Sequence, residues 1–187
     1  MIKRVCDIVL ALVLLVLSFI PLLLVGVVIK LTSPGPVLHC SKRVGKKSQI
    51  FIMLKFRSMY VDTPQVATHL LQDPQLALTS IGKFLRTTSL DELPQLWNIL
   101  KGDMSFVGPR PALFNQDDLI EQRRLRGIDM LLPGLTGWAQ VNGRDEISLP
   151  DKIRFDEEYK NKQSFTFDIW IMWLTVLKVI GRANVSH

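Results

Sequence analysis

The chain has 187 residues and a formal net charge of +6 at pH 7, and 48% of its residues are hydrophobic. This length suits one domain, or one domain with a membrane element, and the joint excess of apolar and basic residues suits an anionic membrane surface or anionic substrates. Nucleic-acid binding is disfavoured because no recognisable binding module is present, and Cys6 and Cys40 have no metal-binding spacing and are expected to stay reduced.

The first predicted element is an uncharged apolar segment at residues 8–29. As a straight helix it would be about 33 Å long, which is enough to cross the core of a bilayer. Pro21 removes one helical hydrogen bond, and Ser18 could satisfy a backbone group freed in this way. Basic residues, which prefer the cytoplasmic side, flank both ends. The length therefore favours a spanning helix, whereas the charges favour a helix that bends and returns to the same face.

A rigid Ser-Pro-Gly-Pro link at 33–36 ends this element, and residues 37–59 are then predicted to form a β-hairpin around a turn that begins at Gly45. Alternate residues of a strand face the same side, so Lys55 and Arg57 project together. They form either one anion-binding edge or a solvated basic face, and the pattern leaves both alternatives open.

Residues 91–100 are predicted to form a short amphipathic helix whose first residues are the acids Asp91 and Glu92. Pro94 is tolerated only near a helix start, which places Asp91 at or beside the N-cap. An ionised carboxylate there could cap the helix, bind a divalent cation or act as a nucleophile. Glu92 could orient a metal or close the helix end.

Two loops that follow each contain an arginine. Arg110 lies between Pro109 and Pro111, which restrict the backbone and leave its guanidinium preorganised for phosphate. A glycine-rich stretch at 133–144 ends in Arg144, and its glycines allow a ligand to approach the backbone closely. Neither loop matches the Walker A or dinucleotide-binding fingerprint, which disfavours those enzyme classes.

The C-terminal stretch at 168–182 is apolar but too short to span a membrane. It contains Trp170 and Trp173 and ends in basic residues, a composition typical of a helix lying in the headgroup region. A core helix is the alternative. Trp138, like these two tryptophans, could mark the interface or pack in the core.

Six sequence blocks occur in one order along nearly the whole chain, and together they carry a specific resemblance. They are Lys3-Arg4 with Asp7, residues 33–36, Lys55-Phe56-Arg57-Ser58-Met59, Thr88 to Asn98, Gly108-Pro109-Arg110-Pro111, and Pro133 to Arg144. With them the chain resembles the small monotopic phosphoglycosyl transferases, bacterial enzymes that load a phospho-sugar onto a polyprenyl phosphate.

This resemblance implies an α+β, mainly helical fold with a small β-hairpin and interfacial amphipathic helices. Residues 1–32 would form a re-entrant helix–break–helix in the membrane, with the break at Ser18 and Pro21. Residues 33–187 would form the catalytic domain on the cytoplasmic face of the bacterial inner membrane. A homodimer is compatible with a small membrane-bound enzyme of this kind.

The resemblance also implies a reaction. Asp91, the first acid of a dyad with Glu92, would attack the β-phosphate of a UDP-sugar and release UMP. Undecaprenyl phosphate would then take the phospho-sugar from the aspartate, and a Mg²⁺ ion held by Asp91 would be required. The expected substrate-binding residues are Lys55, Arg57, Arg86, Arg110, Gln140 and Arg144. Arg110 and Arg144 are the favoured diphosphate ligands, Arg86 is also a candidate partner for one of the acids, and Gln140 would contact sugar or uracil or hold its loop.

Two further hypotheses stay open. The first is a catalytically inactive, membrane-anchored scaffold for glycan-assembly enzymes. The second is a single-span anchor with an external binding module. The residues do not identify the sugar.

Overall fold

A computed structural model describes residues 2–64, 66, 73–143 and 147–183 of the chain. These residues are mainly helical, as predicted, and they contain two small sheets, of which only the hairpin in the first was predicted. The helices are α1 (Ile2–Thr32), α2 (Gly82–Thr88), α3 (Gln95–Lys101), α4 (Asp117–Leu125), α5 (Trp138–Asn142), α6 (Leu149–Lys162) and α7 (Phe165–Ala183). The strands are β1 (Leu38–Val44), β2 (Ile50–Phe56), β3 (Ser105–Val107), β4 (Ala112–Leu113) and β5 (Gly134–Thr136).

The long apolar helix α1 continues through Pro21 without interruption. Among the described residues it is the one helix that is long and apolar enough to cross a membrane. Pro21 has no N–H to donate to the carbonyl of Leu17. Ser18 does not replace it, because its Oγ donates to the carbonyl of Leu14 at 2.5 Å. The predicted role of Ser18 is therefore wrong, and the predicted break at Ser18 and Pro21 does not interrupt the helix; a re-entrant path through a membrane stays a prediction.

Both ends of α1 pack against the rest of the protein. Near the start, Arg4 donates from Nη1 to the carbonyl of Ile99 at 2.6 Å and from Nη2 to that of Leu100 at 2.8 Å, at the C-terminal end of α3. Near the other end, Ile29 is fully buried in a cluster with Phe56 and Leu85. The middle of the helix instead exposes the large apolar side chains Val16, Leu17, Phe19, Ile20, Leu23 and Leu24.

The predicted hairpin is confirmed. Strands β1 and β2 pair antiparallel, with Val44 opposite Ile50, and β4 pairs with the other edge of β1. The outer edge of β2 is covered by Asn98 of α3, whose Oδ1 accepts from the amide of Leu54 at 3.0 Å and whose Nδ2 donates to the carbonyl of Ile52 at 2.7 Å. One amide side chain thus takes the place of a neighbouring strand and fixes α3 against the sheet.

A second sheet joins the two arginine-containing loops. Strands β3 and β5 are parallel, with Val107 opposite Thr136. The backbones of Gly108 and Gly134 approach so closely that a Cβ on Gly134 would lie 2.2 Å from the Gly108 amide nitrogen. This contact holds the start of the Arg110 loop beside the glycine-rich loop. The main core surrounds this sheet and includes Ala11, Leu96, Ile99, Met104, Tyr159 and Ile171.

Helix α7 packs one face in the core and exposes another, and a position in the headgroup region stays a prediction. Ile171 is fully buried in the main core, whereas Trp170 and Trp173 are 51% and 56% exposed. Trp138 belongs to the core instead, since its ring packs 5.1 Å from that of Phe167 and its Nε1 donates to Glu158 at 2.9 Å. The remaining large apolar side chains exposed on α7 are Phe165, Ile169, Val176, Leu177 and Ile180.

Candidate functional site

The two acids lie in a single turn of 3₁₀-helix, Leu90–Glu92, between α2 and α3. The N-cap residue of α3 is Pro94, so the expected position of Asp91 at or beside that N-cap is wrong. Ser89, with φ of 58°, adopts a left-handed conformation that ends α2 and starts the turn. This reversal places the acids between the two helices and beside the second strand of the hairpin.

Glu92 is held by two cations. Its Oε1 accepts from Lys55 Nζ at 2.7 Å and from Arg110 Nη2 at 3.3 Å. Burial alone would raise the pKa of Glu92, but the charges and hydrogen bonds of Lys55 and Arg110 lower that pKa to about 2. Glu92 is therefore ionised at neutral pH, and it fixes the ends of two basic side chains from separate elements.

Asp91 has a different environment from its neighbour. It is only 6% exposed, and its carboxylate accepts no hydrogen bond from any residue in the described part of the chain. Burial raises the pKa of Asp91, and Glu92 adds to this, whereas Lys55, Arg86 and Arg110 oppose it. A buried carboxylate without a partner, close to three cations, is available to a metal ion or to an electrophile.

Asp91 and Glu92 line a cavity of about 620 Å³, which is within the usual range for small-molecule sites. Its polar side includes Lys55, Arg86 and Arg110, and its apolar side comes largely from α1 and α7. The apolar lining residues from these two helices are Leu10, Leu14, Met172, Val176 and Val179. The cavity thus combines a cationic part, suited to phosphate groups, with an apolar part that adjoins the exposed apolar helices.

Four of the predicted binding residues meet in this cavity. Besides Lys55 and Arg110, they are Arg86, whose Nε donates to Ser58 Oγ at 3.3 Å, and Gln140, whose Nε2 donates to the carbonyl of Leu135 at 3.3 Å. Arg86 makes no ion pair with either acid at salt-bridge distance within the described residues. Gln140 thus holds its loop through Nε2, and its buried Oε1 has no hydrogen-bond partner among the described residues.

Arg57 does not reach the cavity, and its predicted place in a shared anion-binding edge with Lys55 is wrong. Its Nη2 donates to the carbonyl of Ser33 at 2.8 Å and its Nη1 to that of Pro34 at 2.6 Å. Lys55 and Arg57 have different neighbours along the strand. The link after α1 covers Arg57, whereas the turn with the two acids lies beside Lys55. Arg57 therefore fixes the end of α1. The prediction for Arg144 lies outside the described residues.

The cavity also contains polar residues that the sequence reasoning missed. Thr136 and Thr175 share a hydrogen bond of 2.7 Å, and Lys178 lies nearby on α7. Lys178 could have been noticed in the sequence, since this charged residue interrupts an otherwise apolar helical stretch. No sequence pattern indicated the two threonines, because their hydrogen bond joins residues 39 positions apart.

No cluster of three or more His, Cys, Asp or Glu side chains occurs within residues 2–64, 66, 73–143 and 147–183. Mg²⁺ is nevertheless commonly held by one or two carboxylates together with phosphate oxygens and water. Asp91 fits such a site because no described residue donates a hydrogen bond to its carboxylate, whereas Glu92 is already engaged by two cations.

Comparisons with known proteins show the family to which the chain is similar. A family model described as "Bacterial sugar transferase" matches residues 1–182. The UDP-glucose:undecaprenyl-phosphate glucose-1-phosphate transferase of Escherichia coli (strain K12) is 44% identical over 189 residues, covering 95% of this chain and 40% of that protein. The uncharacterized sugar transferase EpsL of Bacillus subtilis (strain 168) is 39% identical over 185 residues, covering 99% of this chain and 90% of that protein.

The name of a third relative indicates a different sugar. The UDP-N-acetylgalactosamine-undecaprenyl-phosphate N-acetylgalactosaminephosphotransferase of Aeromonas hydrophila is 39% identical over 187 residues, covering 96% of this chain and 44% of that protein. This chain thus spans less than half the length of two of the three relatives and most of the third.

Proposed function

Because the chain belongs to the bacterial sugar transferase family, we propose that it transfers a sugar phosphate from a UDP-sugar to undecaprenyl phosphate and releases UMP. The observation that carries this proposal is the contrast between the two adjacent acids. Glu92 is held by Lys55 and Arg110, whereas Asp91 is buried, lines the cavity and has no hydrogen-bond partner among the described residues. Such a site suits one reactive carboxylate with fixed cations around it.

In the first step, an Asp91 carboxylate oxygen attacks the β-phosphorus of the UDP-sugar. A new bond forms between that oxygen and phosphorus, and the bond from phosphorus to the oxygen that bridges the two phosphates breaks. UMP leaves with the bridging oxygen and its electron pair, and the phospho-sugar stays on Asp91. Lys55, Arg86 and Arg110 line the same cavity and offset the negative charge that gathers on the phosphate oxygens.

In the second step, a phosphate oxygen of undecaprenyl phosphate attacks the same phosphorus. The bond to Asp91 breaks, its carboxylate is restored, and the product is a sugar linked to undecaprenol through a diphosphate. A Mg²⁺ ion, when bound, would neutralise charge on the phosphate oxygens, and Asp91 is the residue present that would hold it. Each nucleophile reacts in its ionised form, Asp91 as a carboxylate and undecaprenyl phosphate as a phosphate anion.

The apolar helices support a membrane location for this reaction. Helices α1 and α7 expose large apolar side chains and also line the cavity that contains Asp91. A lipid phosphate could therefore reach the carboxylate while its chain stays among apolar surfaces. Both ends of α1 contact the same domain, which favours a monotopic protein whose domain lies on the cytoplasmic face of the inner membrane.

The test is UMP release by protein held in nanodiscs, supplied with Mg²⁺, undecaprenyl phosphate and each of a panel of UDP-sugars. We expect UMP from at least one donor, together with a lipid-linked sugar diphosphate. Release of UDP instead would indicate a glycosyl transferase and overturn the mechanism. Binding of UDP-sugars without turnover of any donor would support the inactive scaffold.

A further inference from the structure

The loop from Val107 to Pro111 presents Arg110 to Glu92, and other elements hold its backbone carbonyls. Because Pro109 and Pro111 lack N–H groups, the loop cannot stabilise itself by a regular ladder of hydrogen bonds. Lys3 Nζ and Tyr159 Oη donate to the carbonyl of Val107 at 3.1 and 3.2 Å. The Gly134 amide donates to the carbonyl of Pro109 at 2.9 Å, and Arg43 Nη1 donates to that of Pro111 at 3.2 Å.

The carbonyl of Arg110 itself is held by a second arginine. Arg123 of α4 donates from Nη1 to this carbonyl at 2.8 Å. From Nε and Nη2, at 3.0 and 2.6 Å, it donates to a single oxygen of Asp156 on α6. Both side chains of this ion pair are buried, at 9% and 2% exposure. The pair therefore holds the Arg123 guanidinium along the edge formed by Nε and Nη2 and leaves Nη1 directed at the loop.

The orientation of one carbonyl matters here because of its position in the chain. The proline that follows Arg110 already restricts the backbone of that residue. A hydrogen bond to the Arg110 carbonyl then fixes the remaining peptide plane, and with it the direction of the bond from Cα to Cβ. The long side chain of Arg110 amplifies any rotation at this point into a displacement at Nη2, the atom that donates to Glu92.

We propose that Arg123, oriented by its buried ion pair with Asp156, is a positioning residue that sets the direction in which Arg110 enters the cavity. Neither Arg123 nor Asp156 lines the cavity with Asp91, so their effect on the reaction passes through Arg110. The kinetic consequence of this inference rests on the proposed function, whereas its structural consequence does not.

Hydrogen exchange tests the structural part without any turnover. Arg123→Lys keeps a positive charge opposite Asp156 but cannot donate to two groups in the same planar geometry. We expect the amides of Gly108 and Gly134, which donate to the carbonyls of Thr136 and Pro109 at 2.9 Å, to exchange at least about fivefold faster in this variant. The matched control is Arg126→Lys, which alters the exposed pair with Glu157 between the same two helices and should leave those amides unchanged.

A second variant removes the ion pair without leaving a buried charge. Arg123→Met combined with Asp156→Leu replaces the pair with apolar side chains, a change that proteins often tolerate without loss of stability. The Arg110 carbonyl still loses its donor, so we expect the same faster exchange. Unchanged exchange in both variants would overturn the proposal.

Kinetics test whether the effect passes through Arg110. We expect Arg123→Lys to lower kcat/KM about tenfold in the otherwise natural protein but less than about twofold when Arg110 is already alanine. An equal loss in both backgrounds would overturn the positioning role, because it would show an effect independent of Arg110. If the natural protein releases no UMP, the proposed function fails, and the exchange measurements still decide whether Arg123 fixes the loop.

Discussion

Lys55 Nζ lies 2.7 Å from Glu92 Oε1, and this contact joins the second strand of the hairpin to the turn that contains both acids. Since Arg110 reaches the same oxygen, one carboxylate connects three separate parts of the chain. Asp91, the preceding residue, accepts no hydrogen bond in this network within the described part of the chain. The arrangement separates a structural acid from a chemically available one, and the predictions below test that separation.

Asp91→Asn should abolish UMP release and prevent a phospho-sugar from accumulating on the protein, because an amide is a far poorer nucleophile than a carboxylate. Burial raises the pKa of Asp91, so the ionised carboxylate is unfavourable in the folded state and its removal should leave Tm equal or higher. Intact-protein mass spectrometry and thermal unfolding would measure the two effects.

Asp118→Asn, at an exposed position on α4, is the matched control and should keep full activity. Turnover at the natural rate in Asp91→Asn would rule out Asp91 as the nucleophile.

Glu92 should make the stability of the protein depend on acidic pH. Its pKa is lowered from 4.5 to about 2 in the folded state, so its stabilising contribution is present above pH 4.5 and is lost as the pH falls toward 2. Urea unfolding of the natural protein and of Glu92→Gln should differ by on the order of 2 kcal/mol at pH 7. This difference should shrink between pH 4.5 and 2. A constant difference over that range would contradict the assignment.

Lys55 and Arg57 should respond to substitution in opposite ways, although they are only two residues apart. Lys55→Met removes a cation from the cavity and should lower kcat/KM by about 10²-fold. Arg57→Met removes the donors to Ser33 and Pro34 and should lower the free energy of unfolding by about 2–3 kcal/mol, with kcat of the folded fraction within about twofold of normal. Steady-state kinetics and denaturant unfolding on both variants would check this pairing.

The two cysteines report the topology of α1. Cys6 lies near its start and Cys40 lies just beyond its end, and both are exposed and free. In single-cysteine variants, we expect neither thiol to react with a membrane-impermeant maleimide in intact cells and both to react after permeabilisation. Labelling of Cys6 alone in intact cells would indicate a spanning helix. Labelling of Cys40 would place the domain outside.

Short sequence patterns predicted the secondary-structure elements that depend on residues close together in the chain. Alternation and turn residues gave the hairpin, and Pro94 marked the start of α3. The order of the motifs also indicated the family and most of the cations in the cavity. These features depend on neighbours a few residues apart, so the amino-acid sequence contains the information that they require.

The amino-acid sequence by itself therefore determined the family, the mainly helical class and the pair of acids at which the chemistry is proposed. Only the tertiary structure decided that Lys55 lies in the cavity while Arg57 anchors α1, that Ser18 bonds to Leu14, and that Trp138 is a core residue. It also brought Arg123 to Arg110 and α7 to the acids. The alternation of side chains along a strand predicts which face a side chain lies on. The group that contacts it there comes from a distant part of the chain and is placed by tertiary packing.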